Sequence, residues 1–371
     1  MKMLQQIFHD NAHAYLDRFG AKMPDSHRKV INAIRECRSG ARGHHVFKCP
    51  DCSERHVANS SCGNRHCPVC QHEKGVRWVY RQQLRLLPCN YFLTTFTLPE
   101  GLRACARAHQ ADVYRALFDE AAASLKALEG DKRFVGCSIA GFFGVLHTWG
   151  RQLQYHPHVH FVVPGGGLTK GRDQWVSARR DFLVHVKALS RMFRGKMKAR
   201  LKELKLFDTV PPEVWTTDWV VNCKPVGSGA HTLKYLGAYV FRVAISDARI
   251  VSYDGKSVTF KWQKVGSARW RKTTLSGMEF MRRYLQHVLP CGFMRVRHYG
   301  FLSHSFGMSI EKIRELIVAL GERFSRVATK VNPPKAFKPL LCPKCRGVMV
   351  WSHFLPALRS VAGPPRMALS P

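Results

Sequence analysis

Acidic residues are scarce in this chain of 371: 25 Asp and Glu stand against 59 Lys and Arg, a formal net charge of +34. The excess runs along the whole length, so it describes a surface and not an appended arm. Such a surface attracts polyanions, of which nucleic acid is the usual one; membrane-surface and ribosome-associated proteins are the alternatives. Long apolar runs are missing too. No stretch reaches the roughly 18 apolar residues needed to cross a bilayer, and no N-terminal apolar segment precedes a small-residue cleavage site. These absences predict a cytoplasmic, nucleoid-associated protein with no membrane partner, whose 13 cysteines stay reduced. Internal repeats are absent as well, and a hydrophobic content of 45% agrees with a folded chain long enough for two domains.

Reduced cysteines are read first for metal. Cys49-Pro-Asp-Cys52 and Cys67-Pro-Val-Cys70 are two knuckles separated by 14 residues. Each CxxC turn brings two thiolates to one ion, and the four together predict a structural Zn²⁺ site. Cys37, His44, His56, Cys62 and His66 lie in the same stretch. Cys37, His44, Cys62 and His66 are candidates for a second site, although no spacing among them is diagnostic. Residues 1 to about 80 show few long periodic stretches and look like a small metal-stapled module. Arg65-His66 and Lys74 to Trp78 make it basic with an aromatic attached, compatible with DNA docking.

From about residue 90 the pattern alternates strands and helices. Tyr91–Thr97 is aromatic and β-branched and predicts a buried strand. Val113, Leu117, Phe118, Ala121, Leu125 and Leu128 predict an amphipathic helix stopped near Gly130. Further strands are expected at 137–147, 156–163, 219–223 and 294–302. Helices are expected at 182–205, 229–243, 277–288 and 309–325, and a hairpin at 251–262 turning on Asp254-Gly255. Mixed order predicts an α+β sheet domain. The tail after about 330 reads as loosely packed, apart from Cys342-Pro-Lys-Cys345.

Gln154-Tyr155-His156-Pro157-His158-Val159-His160 carries the strongest chemical signal. Side chains alternate along a strand, so Gln154, His156, His158 and His160 point one way while Val159, Phe161 and Val163 enter a core. Two imidazoles on a rigid strand can grip a divalent cation, Mg²⁺ or Mn²⁺, with Gln154, His156 or the earlier His147 as third ligand. Such a cation acts as a Lewis acid on a phosphate. Tyr235 and Tyr239, at i and i+4, share one helix face. A phenol has a pKa near 10, so a nearby metal and cations such as Lys234 or Arg242 would be needed to make it a nucleophile. Taken alone, two tyrosines at this spacing read as core residues.

In order, Tyr91–Thr97, His158-Val159-His160 and the pair Tyr235/Tyr239 resemble the motifs of HUH endonucleases. The likeness is closer still to the rolling-circle transposases of the insertion-sequence ninety-one family, the two-tyrosine transposases with an N-terminal zinc-binding domain. Residues 61–71, 148–160, 234–245 and 292–301 support it. It extends over about 1 to 305; the tail beyond Cys345 matches no family pattern. The resemblance implies a five-stranded antiparallel HUH sheet with flanking helices carrying His158 and His160, preceded by a small zinc-binding domain, with the tyrosine helix packed across the sheet. It implies division into a zinc-binding DNA-recognition domain (1–85), a catalytic domain (86–305) and a C-terminal helix with basic tail (306–371). It also implies nicking and rejoining of single-stranded or hairpin DNA ends through a 5′-phosphotyrosine, with Tyr235 and Tyr239 as nucleophiles. Plasmid replication initiators and relaxases share that chemistry. Metallo-β-lactamase-type hydrolases also use an HxH strand, but they need an Asp-His where Phe161-Val162-Val163 follows here. A non-catalytic zinc-finger binder would leave the histidines and tyrosines unexplained.

Overall fold

The computed structural model describes residues 2–240, 244–264, 266–321, 333 and 339–357; the side chains of His72, Ala238 and Tyr239 fall outside that description. The chain begins with helices α1 (Met3–Phe19) and α2 (Asp25–Glu36). This corrects the expectation of an N-terminal region poor in periodic structure. Leu4, Ile7, Phe8, Ala12 and Tyr15 do form a helical stripe, but polar residues dilute it, and beyond α2 its partners come from far downstream. Phe8 packs edge-on against Tyr284 with ring centroids 5.1 Å apart, in a core shared with Phe280 and Met281. Next come the antiparallel strands β1 (His44–Lys48) and β2 (Arg55–Asn59), then helix α3 (His72–Leu84).

Strand β3 (Tyr91–Thr97) opens the central domain and is followed by α4 (Arg103–Ala108) and α5 (Gln110–Gly130). Two long strands, β4 (Gly141–Trp149) and β5 (Tyr155–Pro164), lead to the short pair β6 (Gly166–Leu168) and β7 (Trp175–Ser177). Helix α6 (Val186–Glu203), strand β8 (Val221–Pro225) and helix α7 (Ala230–Val240) follow. The expected hairpin is present as β9 (Ile250–Tyr253) and β10 (Ser257–Gln263), and β11 (Trp270–Ser276) extends it to three strands. The described chain ends with α8 (Gly277–Leu285), β12 (Val296–Gly300), α9 (Ile310–Val318) and β13 (Val350–Leu355). Residues 241–243 and 322–325, the ends expected for two of the helices, lie outside the described residues. No described helix is long and apolar enough to cross a membrane.

The central sheet has five strands in the order β12-β4-β5-β3-β8, every neighbouring pair antiparallel. The fold is therefore α+β, an antiparallel sheet flanked by helices. On one face Phe142, Leu146, Val159, Phe161 and Val163 meet α5 and α6, where Phe118 lies 6.4 Å from Phe161 and Phe193 lies 5.0 Å from Phe96. On the other, Tyr91, Phe143, Val145 and Val162 pack with Leu233, Leu236 and Val240 of α7 and with Ile313 and Ile317 of α9. Helix α7 is pressed between β4 and α3. A Cβ added at Gly237 would stand 1.9 Å from Val79 Cγ2, so this close approach needs glycine.

The tail departs from expectation. Residues 339–357 are ordered against the N-terminal module, with β13 pairing antiparallel to β1 in a sheet of order β13-β1-β2.

Candidate active site and metal centres

Register decides which histidines meet. Phe143 pairs with Val162, Val145 with His160 and His147 with His158 across β4 and β5. Strict alternation then puts His147, His158 and His160 on the sheet face that α7 covers. Their ligand atoms all lie within 4.8 Å of one another. The ring centroids are 5.2 Å (His147–His158), 4.6 Å (His147–His160) and 4.9 Å (His158–His160) apart.

Neighbouring groups orient these rings. His158 Nδ1 donates to the His156 carbonyl at 2.7 Å. A carbonyl only accepts, so this ring holds its proton on Nδ1 and keeps Nε2 as a lone pair. His160 Nδ1 pairs with Thr95 Oγ1 at 2.8 Å, a contact to β3. His147 stacks on Trp149 at 5.2 Å. Burial disfavours the imidazolium: it brings His160 down to about 4, and holds His147 and His158 well below the usual histidine range. Neutral, convergent imidazoles can hold a divalent cation.

The other proposed third ligands turn elsewhere. His156 shares the face but accepts from Arg103 Nη2 at 3.0 Å. Gln154 lies before β5, and its Oε1 accepts from the Gln152 amide at 2.9 Å.

Tyr235 sits on the exposed side of α7, 48% accessible, while Leu233 and Leu236 are buried beneath. Lys234 is exposed beside it. Tyr239 lies in the last turn of α7 with its side chain outside the described part, and Arg242 lies outside the described residues. The end of α7 is tied to the histidine end of the sheet by Arg295. Its Nη1 donates to the Val240 carbonyl at 3.0 Å, its own carbonyl accepts from the Leu146 amide at 3.0 Å, and its guanidinium lies 5.8 Å from the Trp149 ring.

The cysteines regroup. Cys49, Cys52, Cys67 and Cys70, expected to share one ion, do not come together. Cys67 and Cys70 meet Cys37 and Cys62, and Cys49 and Cys52 meet Cys342 and Cys345, the four sulfurs of each set within 4.8 Å of one another. The hairpin of β1 and β2 carries the first knuckle away, whereas the second precedes α3 and packs against the end of α2. In the first set Cys37 to Cys70 is 3.5 Å and Cys62 to Cys70 is 3.6 Å. Zinc–sulfur bonds of about 2.3 Å in a tetrahedron imply sulfur separations of about 3.8 Å, so the set fits a zinc ion. The neighbouring Cys67, Cys70 and Cys37 thiols hold Cys62 below the usual thiol range. His44 and His66 are not in this set: His44 pairs with Asn59 Oδ1 at 2.8 Å, and His66 is buried beside Arg65 at 3.4 Å.

Comparison with known proteins bears directly on this arrangement. A family profile described as "Transposase zinc-binding domain" matches residues 7–98, and one described as "Putative transposase" matches residues 141–309. A relative named "Putative transposase y4qJ", from Sinorhizobium fredii, is 36% identical over 91% of this chain and 91% of its own length. The chain belongs to the IS91 family of transposases. A second relative, "Transposase for insertion sequence element IS801" from Pseudomonas savastanoi pv. phaseolicola, is 27% identical over 89% of this chain and 84% of its own length. No solved structure matches.

As an IS91-family transposase the protein has DNA as its partner, and its N-terminal cysteines belong to a zinc-binding domain. Sequence reasoning about this transposase assigned no role to Arg295, although it lies in the 292–301 stretch. It also missed the pairing of Cys49-Pro-Asp-Cys52 with Cys342-Pro-Lys-Cys345, although the two knuckles are near-copies.

Two histidines outside these sites make the stability of the transposase pH-dependent. Burial lowers His287 to about 3, and burial together with Arg107 lowers His27 to about 4. Well above pH 6.5 both are neutral folded or unfolded and contribute nothing to the slope. Below it the unfolded chain binds protons that the folded chain refuses, so stability falls as pH drops toward the folded values. The slope is up to about 1.4 kcal/mol per pH unit for each histidine. Urea unfolding between pH 7 and 5 checks this; a slope unchanged in His287→Gln would count against it.

Proposed function

We propose that this transposase nicks and rejoins single-stranded DNA through tyrosine, with the chemistry of the HUH endonucleases it resembles. One observation carries the reading: His147, His158 and His160 converge on the sheet face covered by the helix that bears Tyr235 and Tyr239. A Mg²⁺ or Mn²⁺ ion bound there would supply Lewis-acid polarisation of the scissile phosphate. Thr95 and the His156 carbonyl orient the imidazoles toward that role.

The phenol oxygen of Tyr235 or Tyr239 attacks phosphorus, losing its proton to solvent. The P–O3′ bond breaks and the 3′ oxygen takes up a proton. The products are a 5′-phosphotyrosine and a free 3′-hydroxyl. Attack by another strand's 3′-hydroxyl reverses the bonding and frees the phenol, so no ATP is consumed. Two phenols would allow donor and target strands to be handled in turn in rolling-circle transposition. In this reading residues 1–85 recognise the element's end, residues 86–305 carry the chemistry, and the net charge of +34 holds the DNA backbone.

Full-length protein incubated with single-stranded DNA carrying the element's end, with Mg²⁺ or Mn²⁺, should yield a covalent adduct that survives denaturing electrophoresis and vanishes with chelator. DNA binding with no cleavage would leave only the zinc-dependent binding module and overturn the proposal.

A further inference from the structure

We infer that Cys49, Cys52, Cys342 and Cys345 form a second zinc site, a ribbon assembled from opposite ends of the chain. The family match to the zinc-binding domain ends at residue 98, so it contains only half of this ligand set; Cys342 and Cys345 lie outside both matched segments.

The two knuckles are built alike to the level of single hydrogen bonds. In the first, the Cys49 amide donates to the Glu54 carbonyl at 2.9 Å and the Ser53 amide donates to the Cys49 carbonyl at 3.0 Å. In the second, the Cys342 amide donates to the Gly347 carbonyl at 2.8 Å and the Arg346 amide donates to the Cys342 carbonyl at 2.9 Å. The residue after each second cysteine takes the same left-handed conformation, φ +60° at Ser53 and +64° at Arg346. Neither is glycine, so both turns hold a conformation that L-residues ordinarily avoid. Two such turns facing each other offer four sulfurs in the cross-paired arrangement of a tetrahedron. Cys49 to Cys345 is 3.4 Å and Cys52 to Cys342 is 3.6 Å, close to the separation of about 3.8 Å that a zinc tetrathiolate demands. All thirteen cysteines are free thiols, and four sulfurs mutually within 4.8 Å suit one ion better than two disulfides.

The packing around the site points the same way. Among the described residues its buried core is Cys49, Cys342 and Met349, with Phe47, Cys52 and Leu340 partly covered. Every residue of β13 is exposed. So small a core cannot order a three-stranded sheet unaided; a structural metal is the usual supplement. The consequence is topological. The metal ties β13 to β1, so residues 339–357 are part of the N-terminal module.

The test is independent of any DNA chemistry. Metal analysis of the purified full-length protein should find two zinc ions per chain, and Cys342→Ser/Cys345→Ser should retain one, held by Cys37, Cys62, Cys67 and Cys70. In the same variant, hydrogen exchange of residues 350–355 should accelerate to the rate of unstructured chain. Cys345→His should keep two metals, and its cobalt-substituted form should shift from four-sulfur to three-sulfur, one-nitrogen absorption. A single zinc in the native protein, two zincs in the double-serine variant, or a cobalt spectrum unchanged by Cys345→His would each overturn the site.

Discussion

Replacing both Tyr235 and Tyr239 by Phe is expected to abolish the covalent protein–DNA adduct and to lower strand cleavage by at least about 10⁴-fold, the scale on which losing a catalytic nucleophile acts. Fold and DNA affinity should be unaffected. Tyr235 is half exposed, and Leu233, Leu236 and Val240 of α7 lie in the core. The single variants divide the work: whichever change alone removes the first adduct marks the phenol that cuts the donor strand. Trapping on denaturing gels is the readout. An adduct of undiminished yield in the double variant would eliminate both phenols as nucleophiles.

The second large effect is expected at His147. His147→Ala and His158→Ala should raise the Mn²⁺ concentration needed for cleavage by more than about 100-fold, since second-shell partners of a metal already account for 10- to 100-fold. His156→Ala, whose ring accepts from Arg103, should change it only a few-fold. Titrating Mn²⁺ against cleavage, with thermal unfolding as a control for the buried positions, separates the cases. Equal effects at His147 and His156 would remove His147 as third ligand. The contrast is informative because the two rings flank His158, at 5.2 Å and 5.1 Å.

Local periodicity was enough to find much of this protein. A period of two marked Tyr91–Thr97 and the histidine strand, since burial on one sheet face forces alternation. A helical stripe marked α5 and its stop at Gly130, and the Asp254-Gly255 turn marked the hairpin of β9 and β10. The N-terminal helices escaped because polar residues interrupt their stripes and much of what buries them, such as Ile250, Phe260, Phe280 and Tyr284, lies far along the chain. Strand β11 escaped because it is largely exposed, so no alternation of apolar residues announces it.

The site divides along the same line. Sequence alone determined that His158 and His160 share a face, that Tyr235 and Tyr239 share a helix side, and that each CxxC knuckle offers two thiolates to a metal, because each fact depends on the geometry of a few consecutive residues. Tertiary structure decided the partners. His147 completes the histidine group only through the register of β4 on β5, and Cys49 and Cys52 find Cys342 and Cys345 only through the pairing of β1 with β13. A ligand shell needs three or four donors around one point, and the backbone of a single turn or strand supplies at most two. The remaining donors are set by long-range pairing, which spacing along the chain does not encode.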